Sequence, residues 1–169
     1  MNQPADLMEA YRPGAVIVLL DNNANVLVAE RSGTADAWQF PQGGLDEGEE
    51  PLAGAVRELF EETAIEEKDI TLLSKTPFWT HYDWPAENKS ALDKKNPQYA
   101  HFKGARHIWF FFKFNGDKSE INIAKAQDKE FSDHKWVKPE WIQKHTIEMR
   151  QDSYKQAFDY FFTKGVLGL

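Results

Sequence analysis

Cysteine is absent from all 169 residues, which excludes disulfides, thiolate nucleophiles and Cys-ligated zinc. A cytoplasmic protein is the expectation that follows. No apolar run approaches the roughly 20 residues of a membrane span, and Met1-Asn2-Gln3-Pro4-Ala5-Asp6 lacks the basic-then-apolar pattern of a signal segment. A membrane is therefore not an expected partner. Positive charge is also scarce, with 20 Lys and Arg against 27 Asp and Glu for a formal net charge of -7. Proteins that coat DNA or RNA draw their affinity from Lys and Arg, so that class is excluded and DNA is not an expected partner. An enzyme that handles one nucleotide end through metal ions is compatible with this balance. Nothing in the sequence speaks to the oligomeric state.

What the chain does have is rings, with 12 Phe and 6 Trp, which predicts an aromatic core or a site that stacks on something flat. The length suits a single domain over 1–169, with a loose polar stretch at about 1–9. Ala15 to Leu20 is a β-branched run short enough for a buried strand, and Asp21 to Asn25 turns it into a returning strand at Val26 to Glu30. Trp38-Gln39-Phe40 reads as a short strand. Asp69 to Leu73, Phe78 to Tyr82 and Arg106 to Phe114 follow as strands, with brief ones at Ile121 to Ile123 and around Phe131 to Val137. Pro85 to Lys103 has no apolar period and predicts a long loop. Pro139-Glu140-Trp141 opens a turn, and Tyr154, Ala157, Phe158 and Phe161 fall at i, i+3, i+4, i+7 on a last helix. Strands on both sides of one central helix predict an α/β sandwich with a mixed sheet.

The central helix is the stretch that carries chemistry. A Gly43-Gly44 pair leads through Asp46, Glu47, Glu49 and Glu50 into Pro51, which suits a first helical turn, and the acids complement the helix dipole there. Leu52, Ala55, Val56, Leu59 and Phe60 form one apolar stripe. Glu58, Glu61 and Glu62 form a second face, turned well away from that stripe. Three carboxylates at these spacings repel one another unless something neutralises them. A solvated acidic face is the plain explanation; a site for Mg²⁺ or Mn²⁺, which prefer carboxylate oxygens, is the sharper one.

The spacing Gly43-x5-Glu49-x7-Arg57-Glu58-Leu59-Phe60-Glu61-Glu62-Thr63-Ala64-Ile65 resembles the Nudix box, G-x5-E-x7-R-E-U-x-E-E-x-G-U with U apolar. Ala64 is the one departure, standing where the family has a glycine in a left-handed helix exit. Tyr11-Arg12-Pro13, Trp38 to Gly44, Tyr82-Asp83-Trp84-Pro85, Trp109-Phe110, Glu120-Ile121-Asn122 and Glu130-Phe131 extend the likeness. Together they are similar to the bacterial RNA 5′-pyrophosphohydrolases and the plant-type diadenosine tetraphosphate hydrolases. Ala105 and His107 replace two glutamines usual in that subfamily, so contacts made by those amides do not carry over.

The resemblance implies the Nudix α/β/α sandwich and hydrolysis of a polyphosphate. Its acidic site would hold two or three Mg²⁺ or Mn²⁺ ions on Glu58, Glu61 and Glu62, with the Gly43 carbonyl as a further ligand. Glu130 resembles the subfamily's extra carboxylate, a metal ligand or general base; from spacing alone it reads equally as a surface residue. Glu58 is the rival base. Arg57 is expected to pair with Glu49 and hold the loop on the helix. Arg12, Arg31, Lys103 and Arg106 are candidates for substrate phosphates, and Tyr82, Trp84 and Phe110 for stacking on a base. The basic segment that includes Lys89, Lys95 and His101 reads either as solvated or as a guide for phosphates. The expected substrate is a 5′-triphosphate or diphosphate end of RNA. A dinucleoside polyphosphate, or a non-catalytic nucleotide sensor on the same fold, is the alternative.

Overall fold

The computed structural model describes residues 4–165. In chain order the strands are β1 (Tyr11–Leu20), β2 (Val26–Arg31), β3 (Trp38–Gln39), β4 (Gln42–Gly44), β5 (Ile70–Lys75), β6 (Thr80–Asp83), β7 (Gly104–Phe114) and β8 (Phe131–Val137). The helices are α1 (Ala5–Glu9), α2 (Pro51–Thr63), α3 (Ala86–Lys95), α4 (Pro139–His145) and α5 (Glu148–Thr163).

The first hairpin turns where the sequence places it. The Asp21 carboxylate accepts from the backbone N–H groups of Asn23 and Asn25, each at 2.8 Å, which closes the turn between β1 and β2. β7 lies parallel to β1 from Tyr11↔Gly104 to Leu20↔Lys113, and the remaining pairings are antiparallel. The result is the expected mixed sheet, in the order β3-β2-β1-β7-β5 with β4 on β1, β6 on β7 and β8 on β2.

Side chains that alternate along β1 and β7 divide between two cores. Ala15, Ile17, Leu19, Phe110, Phe112 and Phe114 meet Ala55 and Leu59 of α2. Val16, Val18, Leu20, Trp109 and Phe111 face the other way, onto Ile142 of α4 and Tyr154, Ala157, Phe158 and Phe161 of α5. Helices thus cover both faces of one sheet, an α/β/α sandwich.

Four local expectations are corrected. The N-terminal stretch, expected to be loose, is the helix α1 over Ala5–Glu9, while residues 1–3 lie outside the described residues. Residues 85–103 are not a bare loop but contain α3, because helix formation there needs no core-facing stripe. The brief strand at Ile121 to Ile123 is replaced by two 3₁₀ turns, Lys118–Glu120 and Ile123–Lys125, started by the Asp117 and Asn122 side chains accepting backbone N–H groups. The turn at Pro139 continues as α4.

Candidate active site

Pro51 opens α2 and Ala64 closes it in a left-handed conformation (φ 61°, ψ 13°), its N–H bonded to the Phe60 carbonyl at 2.8 Å. Between these ends the helix is rotated from expectation. Glu58 and Glu62 are buried, at 9% and 4% exposure, whereas Leu52 and Phe60 stand 41% and 47% exposed. Glycine makes this possible. β4 lays the bare backbone of Gly43 against the helix, where an added Cβ would come within 1.9 Å of the Glu58 carboxyl carbon. The inner face of α2 therefore carries two acids as well as Ala55 and Leu59.

Burial pushes the Glu58 carboxyl above its usual range, against the pull of Arg57. It pushes Glu62 up further; the Gln42 N–H, 3.0 Å from Oε2, works against this, while Glu58, Glu130 and Asp128 add repulsion. Arg57 runs through the cluster. Its Nε and Nη2 hold the two Glu49 oxygens at 2.8 and 2.9 Å, Nη2 also donates to the Gly44 carbonyl at 2.9 Å, and Nη1 reaches Glu58 and Glu61 at 2.9 and 3.0 Å. The expected Arg57–Glu49 pair is present, with two more acids on the same group.

Glu130 precedes β8 and pairs with Arg31 at 3.0 Å. The Asp128 N–H donates to the Glu61 carbonyl at 2.9 Å, fastening this segment to the end of α2. Among the described residues no three His, Asp or Glu side chains are grouped so as to hold a metal ion as they stand, and Arg57 Nη1 bonds both Glu58 and Glu61. The donor chemistry nonetheless fits a hard divalent cation: carboxylate oxygens of one sign, those of Glu58 and Glu62 on buried side chains.

A cleft of about 580 Å³ opens beside Gly43. Arg12, Arg31, Tyr82 and Trp84 line it, as do Ala105 and His107. The Arg12 guanidinium lies between the Gly44 backbone and the Tyr99 ring, 3.9 Å from its centroid. Its Nε is buried and has no hydrogen-bond partner among the described residues. His107 is fully buried behind the Tyr82 ring, and burial holds its imidazole down at about 3, helped by Arg150 and Arg12, so it is neutral near pH 7.

Three expected substrate residues lie elsewhere. Phe110 is 1% exposed in the α2 core because its position in β7 points away from the cleft, so its ring is not available for stacking. Lys103 extends over the Tyr11 ring, with Nζ 5.0 Å from the centroid. Arg106 stacks on Trp79 and donates to the Tyr11 carbonyl, beside a second cleft. The sequence reading missed Arg150, which lines the cleft beside Gly43 and bonds Gln39 Oε1. It precedes Tyr154 by four residues and so belongs to the buried stripe of α5; a cation on a core stripe was the available signal.

Acids that call for a cation, set beside guanidinium groups that call for an anion, define a phosphate-processing hydrolase. A family model described as NUDIX domain matches residues 10–158. The chain is 34% identical over 152 residues to an RNA pyrophosphohydrolase of Dinoroseobacter shibae, covering 89% of this chain and 91% of that one. It is 33% identical over 155 residues to Nudix hydrolase 26, chloroplastic, of Arabidopsis thaliana, covering 90% and 70%. Among solved structures, the C. elegans Ap4A hydrolase binary complex shares the fold, with a TM-score of 0.65 at 19% identity over 90% of this chain and 98% of that one. The chain belongs to the Nudix family and is a hydrolase of phosphoanhydride bonds, on the branch that includes bacterial RNA pyrophosphohydrolases. Enzymes of this family generally use divalent metal ions.

Proposed function

We propose that this protein converts the 5′-triphosphate or diphosphate end of RNA to a 5′-monophosphate in the cytoplasm, releasing pyrophosphate or phosphate. The observation that carries the proposal is the continuity of one cleft from Gly43, beside the buried acids, past Arg12, Arg31 and Arg150 to the rings of Tyr82 and Trp84. Polyphosphate and base are both accommodated along that path.

Glu58, Glu61, Glu62 and Glu130, with the Gly43 carbonyl, are the groups that would hold about two or three Mg²⁺ or Mn²⁺ ions. When bound, such ions supply positive charge to the anhydride and lower the pKa of water. Burial favours the protonated form of Glu58 and Glu62, and both would be ionised, their protons released to solvent, when they hold such ions. Arg12 and Arg31 draw the phosphates into line, and Arg12 Nε offers a buried donor that the described residues leave unused. Water oxygen attacks phosphorus, the bond to the bridging oxygen breaks, and pyrophosphate leaves. Glu130 receives the water proton in this scheme, with Glu58 as the alternative base. Tyr82 and Trp84 pack on the first nucleotides.

The test is turnover of a 5′-triphosphorylated short RNA beside diadenosine tetraphosphate, in Mg²⁺ and in Mn²⁺, with Glu61→Gln as control. The proposal expects much higher kcat/KM on the RNA, abolished in the variant. Preferential release of ATP from the dinucleotide would overturn the RNA substrate and keep the hydrolase.

A further inference from the structure

β6 and β7 pair from Thr80↔His107 to Asp83↔Gly104, and the chain between them leaves the sheet to form α3. The base of this excursion is fixed by the Trp84 N–H on the Lys103 carbonyl, at 3.0 Å, and the Lys103 N–H on the Ala10 carbonyl, at 2.9 Å. Away from the sheet, Lys89 Nζ pairs with Asp93 and donates to the Ala100 carbonyl at 2.8 Å. No residue of α3 is buried. A helix that covers no core has its orientation explained by something else. Asn88, Ala91, Leu92 and Lys95 fall at i, i+3, i+4 and i+7, one helical face, and all four line the catalytic cleft. Leu92 is 37% exposed there. Lys95 brings a fourth cation to a cleft that already holds Arg12, Arg31 and Arg150.

We propose that this face of α3 is a specificity wall that contacts the nucleotide part of the substrate. Ala91 and Leu92 pack on a nucleobase, while Lys95 and Asn88 meet the phosphodiester that follows the first nucleotide. The polyphosphate is left to the residues around Gly43. This rests on the RNA-end reading above and adds a reason for such an enzyme to prefer RNA to a free nucleoside triphosphate: the latter has no phosphodiester to offer Lys95.

The experiment compares Leu92→Ser and Lys95→Gln, singly and together, with the unaltered protein on triphosphorylated RNA and on ATP. Both positions are exposed, and circular dichroism checks the fold. The Kd of a 3′-labelled triphosphorylated RNA for Glu61→Gln protein, with and without the α3 changes, gives the same comparison independently of turnover. Lys95→Gln is expected to raise KM and Kd for RNA by about three- to tenfold, with kcat held within about twofold and the ATP parameters unmoved, whereas Leu92→Ser, which loses a nucleobase contact, is expected to raise KM for RNA and for ATP by a similar factor. Unchanged KM and Kd for RNA would overturn the wall, as would an equal loss on RNA and on ATP from Lys95→Gln. If the unaltered protein cleaves diadenosine tetraphosphate and not RNA, the RNA reading falls separately. The same variants measured on the dinucleotide then decide the wall, a raised KM upholding contact with a nucleotide and an unchanged KM removing it.

Discussion

Arg57 grips Glu49 through two parallel hydrogen bonds, Nε to Oε1 at 2.8 Å and Nη2 to Oε2 at 2.9 Å. Arg57 holds the Glu49 carboxyl down at about 2, with the Asp46 N–H helping against burial. The fork ties the acidic loop to α2, while the remaining Nη1 serves Glu58 and Glu61. A lysine keeps the charge but cannot reproduce the planar fork. Arg57→Lys is expected to destabilise the protein by about 1–3 kcal/mol and to lower kcat/KM by about 100-fold through displacement of the loop. Calorimetry and steady-state kinetics measure the two effects; full activity with intact stability would remove Arg57 from this role.

Gly43 is the position at which a single methyl group reaches the Glu58 carboxyl. A Cβ there would overlap the Glu58 carboxyl, at 1.9 Å from Cδ and 2.0 Å from Oε2. Either β4 withdraws from the helix or Glu58 leaves its place. Gly43→Ala is expected to lower kcat/KM by about 100-fold or more, with weaker Mn²⁺ binding in a calorimetric titration and a circular dichroism spectrum close to that of the unaltered protein. Unaltered Mn²⁺ affinity would mean that Glu58 is not a ligand.

The sheet was legible because β1 and β7 are strongly patterned and the aromatic residues of β7 have only core to occupy. The box was legible because its acids and Arg57 are fixed in spacing. The orientation of α2 was not, since counting apolar residues assigns Leu52 and Phe60 to the core and Glu58 and Glu62 to solvent. Only contact with a glycine backbone from β4 reverses that assignment. α3 was hidden for a related reason: its one coherent face lines a cleft, and neither Asn88 nor Lys95 contributes to a hydrophobic period. Phe110 was assigned to the substrate by its place in a motif, but the alternation of β7 settles its direction.

Ala64 occupies a left-handed conformation at the end of α2, with φ at 61°. A side chain there costs about 1 kcal/mol relative to glycine, partly offset by the greater freedom of glycine in the unfolded chain. Ala64→Gly is therefore expected to raise Tm by about 1–2 °C for a chain of this size. Turnover is expected to change little, because the conformation at this position is already the one that glycine favours. A fall in Tm on calorimetry would show that the exit is not strained.

His107 makes stability depend on pH in a definite direction. Burial first, then the positive charges of Arg150 and Arg12, lower its folded-state pKa from 6.5 to about 3. The unfolded chain consequently binds a proton that the folded chain refuses, so this contribution is complete above about pH 6.5 and is lost as pH falls toward 3. Glu58 and Glu62 act in the opposite sense above pH 4.5, because their raised pKa values make the folded state the better proton acceptor. A difference between proteins cancels them. His107→Gln removes the imidazole and keeps a polar side chain, so the unaltered protein is expected to lose about 2 kcal/mol more than the variant between pH 7 and pH 5. Urea unfolding of both proteins at the two pH values measures that difference, and parallel losses would mean that His107 accepts a proton in the folded state.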